Sequence, residues 1–214
     1  GWEAGQAVTT GIQNTLIGAQ AGDALLTASY NTVVGSGALT SDDYGSKNTV
    51  IGTDACWSQN LASATDTYNT AVGMQASVYN VTGVNNTTVG YRAGYGVSTN
   101  SHSNNTFIGY TAGTAITTGG NNTAVGSYAG DAISSAADNT AVGYAALSTC
   151  ATGIRNTAIG RYALNAHTGN DGTAVGYGSL ELATGAGNTS VGKGAGRLIV
   201  GGANNTMLGH MAGD

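Results

Sequence analysis

Polar and apolar residues alternate within a five-residue motif, Asn-Thr-x-aliphatic-Gly, that returns along nearly the whole chain. Successive copies are most often 17 residues apart. A fixed period of this length is typical of a chain that coils round an axis, with one structural unit in each turn. The pattern therefore predicts an all-β fold, a parallel β-solenoid or β-roll of about twelve turns. The copies begin at Asn14, Asn31, Asn48, Asn69, Asn86, Asn105, Asn122, Asn139, Asn156, Gly172, Asn188 and Asn205.

Each motif copy predicts a short strand with two different faces. Because strand side chains alternate, Thr and the aliphatic residue share one face, and Asn and the variable residue share the other. We expect the Thr/aliphatic face to be buried and the variable face, which is mostly Ala, to meet partner chains. The Asn column should form a structural ladder of side-chain amides from turn to turn. The Gly marks a bend, and the small residue three positions later should pack inward on a second, shorter strand.

The array defines the expected domain organisation. Residues 1–13 are predicted to be a lead-in or N-terminal cap, and residues 14–214 a continuous repeat array. A longer loop is expected at about residues 55–68, because the gap between Asn48 and Asn69 reaches 21 residues. The beginning at Gly1-Trp2-Glu3, which has no export signal, suggests a piece of a longer protein.

Composition excludes several classes of partner. The chain has 36 Gly, no Pro, 8% charged residues and a net charge of -5, whereas nucleic acids and anionic membranes attract clustered Lys and Arg. It contains no apolar run long enough for a membrane helix. Cys56 and Cys150 lie five turns apart, roughly 24 Å at about 4.8 Å per strand, so they should be free thiols or buried small apolar residues.

The polar residues show no pattern typical of catalysis. The carboxylates fall at differing places in the turn and form no repeated pair, and His102, His167 and His210 occupy unrelated positions. We therefore expect no enzyme, no metal and no cofactor, with the three histidines on the surface and Asp42-Asp43 in a solvated loop. Since one buried Val or Ile per turn cannot offset the cost of ordering about 17 residues, the thin coil should associate as a homotrimer.

Two features are candidate contacts for a host surface glycan or protein. Tyr91, Tyr110, Tyr144 and Tyr177 follow the bend directly, in a column that also holds Arg161 and Lys193, and exposed aromatic residues suit sugar rings or protein surfaces. Trp57 lies in the longest gap, where an insertion forms a loop on one face. Alternatively, each Tyr covers the corner of its neighbour and Trp57 caps a local gap.

Segments such as Asn122-Thr-Ala-Val-Gly-Ser-Tyr-Ala-Gly130 and Asn156-Thr-Ala-Ile-Gly-Arg-Tyr-Ala-Leu164 resemble repeats in phage tail fibres and bacterial fibre proteins that end in a self-cleaving chaperone. They are also similar to the Ser-Val-Ala-Ile-Gly repeats of trimeric autotransporter adhesin heads, which have shorter turns. The resemblance implies an extracellular homotrimer of β-rolls, on a virion tail or a bacterial surface, that extends toward and binds a host cell. It implies neither membrane insertion nor nucleic-acid binding.

The Thr column leaves an alternative function open. Regular Thr columns on flat β-solenoids bind ice, which needs a wide outward plane of such side chains. Here Thr shares its face with the Val/Ile column, so ice binding requires that this face lie outside.

Overall fold

The computed structural model describes residues 1–97 and 100–214, and all of its regular elements are β-strands. Every copy of the motif forms a three-residue strand that begins at its Thr. Two further strands of two residues each lie between copies. The strands are β1 Thr15–Ile17, β2 Thr32–Val34, β3 Gly45–Ser46, β4 Thr49–Ile51, β5 Thr65–Asp66, β6 Thr70–Val72, β7 Thr87–Val89, β8 Thr106–Ile108, β9 Thr123–Val125, β10 Thr140–Val142, β11 Thr157–Ile159, β12 Thr173–Val175, β13 Thr189–Val191 and β14 Thr206–Leu208.

The chain divides into two compact units, Gly1–Asn105 and Thr106–Asp214. In the N-terminal unit the motif strands pair in the order β1-β2-β4-β6-β7, and β3 pairs with β5 in a small second sheet. In the C-terminal unit β8 to β14 pair in chain order. All of these pairs are parallel, and Thr lies opposite Thr at each step, as in Thr140↔Thr157. The predicted parallel β-solenoid is confirmed.

Residues 1–13 already make the contacts of a turn. Backbone hydrogen bonds join Ala7 N to Asp23 O at 2.9 Å and Thr9 N to Leu26 O at 2.9 Å. These pairs have the spacing of the array that follows.

Four positions in each turn have a left-handed backbone. They are the residue before the motif, the motif Gly, and the second and fourth residues after that Gly. In one turn they are Asp138, Gly143, Ala145 and Leu147, with φ of 59°, 131°, 50° and 53°. Because left-handed residues cannot continue a strand, the segment after the Gly turns sharply at each of them.

The second strand predicted for the segment after the Gly is therefore wrong, and the two short strands β3 and β5 lie instead just before a motif copy. The segment after the Gly forms successive turns, and these turns still hydrogen bond to the next repeat. Leu147 N, for example, donates to Ala163 O at 3.0 Å. The small residue three positions after the Gly is buried as predicted, and Ala163 and Ala129 are both fully enclosed.

The assignment of the two strand faces is also wrong. The middle strand residue, such as Ala141, is 0% exposed, and the motif Asn of the interior turns is no more than 2% exposed. Thr and the aliphatic residue point outward, and Ile51 and Ile159 keep 38% and 41% of their surface exposed. The alternation of the two faces was predicted correctly, but the face expected to meet partner chains is the buried one, because the amide of the motif Asn bonds to interior backbone groups, as Asn139 Nδ2 does to Gly153 O.

The core of each turn combines Ala with one larger side chain from the corner. Where the fourth residue after the motif Gly is Leu, as at Leu147 and Leu164, that Leu is buried. Where it is Gly, the seventh residue supplies a buried Leu or Ile in several turns, although in the turn of Gly94 it is Val97, which is 51% exposed. Ile133 packs over Gly130, so that a Cβ there would lie 2.6 Å from Ile133 Cδ1. In these turns a large side chain thus enters the interior from one of two corner positions.

Where the fourth residue is large, the seventh position holds a buried polar, sulfur-bearing or small residue. Asp42 and His167 occupy it, and both are 0% exposed. Asp42 accepts hydrogen bonds from Gly45 N at 3.0 Å and Gln59 Nε2 at 2.7 Å, and burial raises the pKa of its carboxyl group. The predictions of a solvated Asp42 and of surface positions for His102 and His167 are wrong, while His210 is exposed. Cys56 and Cys150 are free and buried, as predicted.

Candidate functional site

The predicted Asn ladder lies inside the solenoid and links each turn to the next through backbone groups. Asn139 shows the pattern. Its Oδ1 accepts from Asn156 N at 2.9 Å, while its Nδ2 donates to Gly153 O at 2.9 Å and to Asn122 Oδ1 at 3.1 Å. Asn31 and Asn48 repeat the same backbone contact, at 3.0 and 2.9 Å from the preceding Asn. Being enclosed, this column is structural and offers nothing to a ligand.

The one motif copy that lacks Asn is completed by a histidine. At Gly172 the amide is missing, and His167 fills its place. His167 Nε2 lies 3.1 Å from Asn156 Oδ1 and its Nδ1 lies 2.9 Å from Ala183 O. Burial lowers the pKa of His167. His167 therefore replaces the missing amide in the Asn ladder. Sequence reasoning missed this role because it follows only from the absence of Asn at position 172.

The Thr/aliphatic face is the first outward surface. Each rung presents one Thr and one Val, Ile or Leu, and none of these twelve pairs contains a charged residue. Ile108, Ile159 and Val191 of the C-terminal unit are 37%, 41% and 39% exposed. No motif Thr hydroxyl, all of which lie in the described part of the chain, donates to another protein group. Each unit thus carries a regular, uncharged face with free hydroxyl groups.

A column of tyrosines in the C-terminal unit is the second outward surface. The centroids of successive rings are 5.4, 5.7, 5.6 and 6.3 Å apart, and neighbouring rings are inclined by 66° to 82° in an edge-to-face arrangement. Tyr110, Tyr144 and Tyr177 are 47%, 44% and 47% exposed. We call this column the tyrosine ladder; it consists of Tyr110, Tyr128, Tyr144, Tyr162 and Tyr177.

Sequence reasoning found three rungs of the tyrosine ladder and missed two. Tyr128 and Tyr162 stand two residues after their motif Gly rather than one, with left-handed φ of 59° and 60°. Their rings fill the gaps between the predicted tyrosines. In these two copies Ser127 and Arg161 occupy the first position after the Gly, and the Tyr occupies the second. A search for Tyr at either of the two positions would have found all five rungs.

Arg161 is bound to the tyrosine ladder on two sides. Its guanidinium carbon lies 5.3 Å from the ring centre of Tyr144 and 4.8 Å from that of Tyr162, and its Nη2 donates to Tyr162 Oη at 3.2 Å. Cation–π contacts of this kind orient the guanidinium group over the ring faces. The hydrogen bond to Tyr162 raises the pKa of Arg161 further.

The other two predicted contact residues lie in the N-terminal unit. Trp57 is 45% exposed. The segment that holds it is folded rather than free, since Asn69 Nδ2 donates to Gln59 Oε1 at 3.0 Å. Tyr91 is half-buried beside Arg92, whose guanidinium carbon lies 5.3 Å from its ring centre.

No family model, curated protein or solved structure matches the chain. Within residues 1–97 and 100–214 no helix is of a length and hydropathy that would span a bilayer. The same residues contain no cluster of three His, Cys, Asp or Glu placed to hold a metal ion.

Proposed function

We propose that the chain is a structural and adhesive segment of a homotrimeric fibre, a phage tail fibre or bacterial surface adhesin, that extends toward a host cell and binds its surface. The observation that carries this proposal is the outward Thr/aliphatic face. Aliphatic side chains that are exposed or half-exposed recur at every turn and form a continuous apolar stripe within each unit, and such stripes favour association.

The proposed partner of this face is a second and third copy of the same chain. Every rung has the same two side-chain types, so that parallel copies in register would place Val or Ile against Val or Ile along the stripe. The face lacks charges that would have to be desolvated on contact. The proposed trimer interface is therefore the Thr/aliphatic face. It is not the Ala-rich face expected from the sequence, which is buried within one chain.

Light scattering tests the trimer. Three chains of 21.0 kDa give about 63 kDa, and this is the mass we expect for the purified chain. Val142→Lys places a charge in the stripe and should reduce the mass to that of one chain. As a matched control, Thr168→Lys changes an exposed residue outside the strands and should leave the trimer intact. A wild-type chain that scatters as a monomer would remove the basis of the proposal.

Ice binding is the second candidate, and the same observation favours it. The Thr column points outward, its hydroxyl groups are free of protein partners, and the parallel register repeats the Thr/aliphatic pair at about 4.8 Å per rung. A flat lattice of hydroxyl and methyl groups can order water in register with a crystal surface. Because this function uses the face that the trimer would bury, a monomer is required.

Thermal hysteresis separates the two candidates. Ice binding predicts a freezing point depressed below the melting point, lost in Thr140→Lys and kept in Thr168→Lys. The fibre predicts a trimer and no hysteresis. A monomer without hysteresis contradicts both.

A further inference from the structure

We propose that the tyrosine ladder of the C-terminal unit binds an extended β-1,4-linked polysaccharide, one sugar ring to each turn of the solenoid. This inference deepens the adhesive role proposed above, since it names the chemical class of the host-surface ligand. It uses residues on a different part of the turn from the Thr/aliphatic face, so the two can be tested separately.

The ladder has the chemistry of a sugar platform. Pyranose rings present C–H groups on their flat faces, and these groups pack on aromatic rings, while their hydroxyl groups need donors and acceptors at the edge. Tyr110, Tyr144 and Tyr177 keep 47%, 44% and 47% of their surface exposed along the ladder. The phenol hydroxyls and the guanidinium of Arg161, which is held between Tyr144 and Tyr162, supply hydrogen bonds.

The spacing selects a linear and extended ligand. Successive turns advance by about 4.8 Å, and the ring centroids, which alternate between two positions of the turn, are 5.4 to 6.3 Å apart. Both distances are close to the advance of one sugar ring along an extended chain. A branched or tightly coiled glycan could contact one or two rungs only. A chain that runs parallel to the ladder could contact all five.

The alternation of the rings favours a β-1,4 linkage. The rings exposed by 44% to 47% belong to Tyr110, Tyr144 and Tyr177, whereas Tyr128 is 38% exposed and Tyr162 is half-buried. Equivalent rings thus recur every second turn, and neighbouring rings are close to perpendicular. In a β-1,4 chain each sugar is flipped relative to the one before it, so equivalent ring faces also recur at every second unit. The two periods match.

Charge does not oppose such a ligand. Along this column the charged members are Arg161 and Lys193, and neither repels a neutral sugar. Two other arginines of the same unit form ion pairs: Arg155 Nε lies 2.7 Å from Asp171 Oδ1, and Arg197 Nε lies 2.8 Å from Glu181 Oε2. A neutral glucan is therefore the chosen probe.

The test is calorimetric titration of the full chain with cello-oligosaccharides from cellobiose to cellohexaose, with linear dextran as the control for linkage. We expect affinity to rise with each added sugar until the five rungs are covered. Tyr144→Ala should weaken cellohexaose binding at least about fivefold, because it removes a central platform. Tyr144→Phe should retain most of the affinity.

Two further variants keep the result interpretable. Tyr177→Ala removes the end ring, which has a single ladder neighbour, and should weaken binding without disturbing the fold. Tyr30→Ala removes a tyrosine that is 53% exposed in the N-terminal unit, and should change nothing. Absence of binding, affinity that is independent of sugar length, or equal effects of Tyr30→Ala and Tyr144→Ala would overturn the inference. A trimer that does not bind sugars would overturn this inference alone, whereas a monomer that binds them would overturn the trimer alone.

Discussion

Replacing Gly176 by alanine should destabilise the solenoid strongly, while the same change two residues later should not. Gly176 ends a motif strand with φ of +131°, a conformation that L side chains rarely adopt. A Cβ added there would lie 2.5 Å from Gly192 O of the next turn. That backbone cannot withdraw freely, because Gly192 N donates to Val175 O at 2.8 Å.

The expected cost is the sum of three contributions. Holding a non-Gly residue in this region costs about 1–3 kcal/mol, and relief of the steric overlap costs about 1–3 kcal/mol. A weakened ladder hydrogen bond adds about 1 kcal/mol. We expect Gly176→Ala to lower the free energy of unfolding by about 3–5 kcal/mol, once the overlap among these contributions is allowed for.

Gly178→Ala is the matched control. Its φ is +61°, and the nearest atom to an added Cβ is Glu181 Oε2 at 3.2 Å, the end of a flexible side chain. Alanine already occupies the equivalent position at Ala145, with φ of 50°. The left-handed cost of about 1–2 kcal/mol is partly offset by the reduced entropy of the unfolded chain, about 0.4–1 kcal/mol, so the net loss should be about 1 kcal/mol.

Urea unfolding followed by circular dichroism measures both variants against the wild-type chain. A loss below about 1 kcal/mol for Gly176→Ala, or equal losses for the two variants, would refute the claim that contact between turns fixes this glycine column.

Three further predictions concern the interior. Asn139→Ala leaves the buried Asn156 N–H without its side-chain acceptor and Gly153 C=O with only the weak Cys150 thiol donor, and should cost about 2–4 kcal/mol in urea unfolding; Asn205→Ala, in the partly exposed last turn, should cost clearly less. Burial lowers the pKa of His102 to about 4 from 6.5, so protons bind the unfolded state first, and His102 should contribute a loss of stability of about 3 kcal/mol as the pH drops from about 6.5 to about 4. A stability profile over that interval that is the same in His102→Gln as in the wild-type chain would contradict this assignment. Iodoacetamide should spare both thiols of the native chain and modify both in urea, since the two cysteines are buried and burial raises the pKa of Cys56 to about 12; rapid native labelling would show that the interior opens.

The period and the glycine column could be predicted from the sequence because both are requirements of the backbone. Every turn must bend at the same place, and a residue such as Gly143 has room for a hydrogen atom only. The side of the strand that faces inward could not be predicted by the same reasoning. Alternation predicts that a strand has two faces, but it does not predict which face is buried. A face made of polar Asn and small Ala has a composition typical of a solvent-exposed surface.

Counting the hydrogen-bond partners of the backbone would have predicted correctly which face is buried. An unvarying amide is needed where backbone groups of the next turn lack partners, and such groups occur inside a bend rather than on a solvated strand. Similarly, His167 is explained by the missing amide at Gly172, and Tyr162 by the arginine that precedes it. In each case the residue is explained by a neighbour in a different column of the repeat, a relation that reading one column at a time does not show.

The inward position of the small strand residues also changes the reason for association. The sequence argument for a trimer held that a single coil cannot enclose its own apolar face. In the structure Leu147, Leu164 and their equivalents are enclosed within one chain, so we expect folding not to require a neighbour, and the proposed association would use a face that is already formed. Val142→Lys should therefore yield a folded monomer with the wild-type circular dichroism spectrum, whereas Ala141→Lys, one residue earlier and 0% exposed, should unfold. If Val142→Lys unfolds as well, the stripe belongs to a core that is completed only by the partner chains, and folding and assembly are one step.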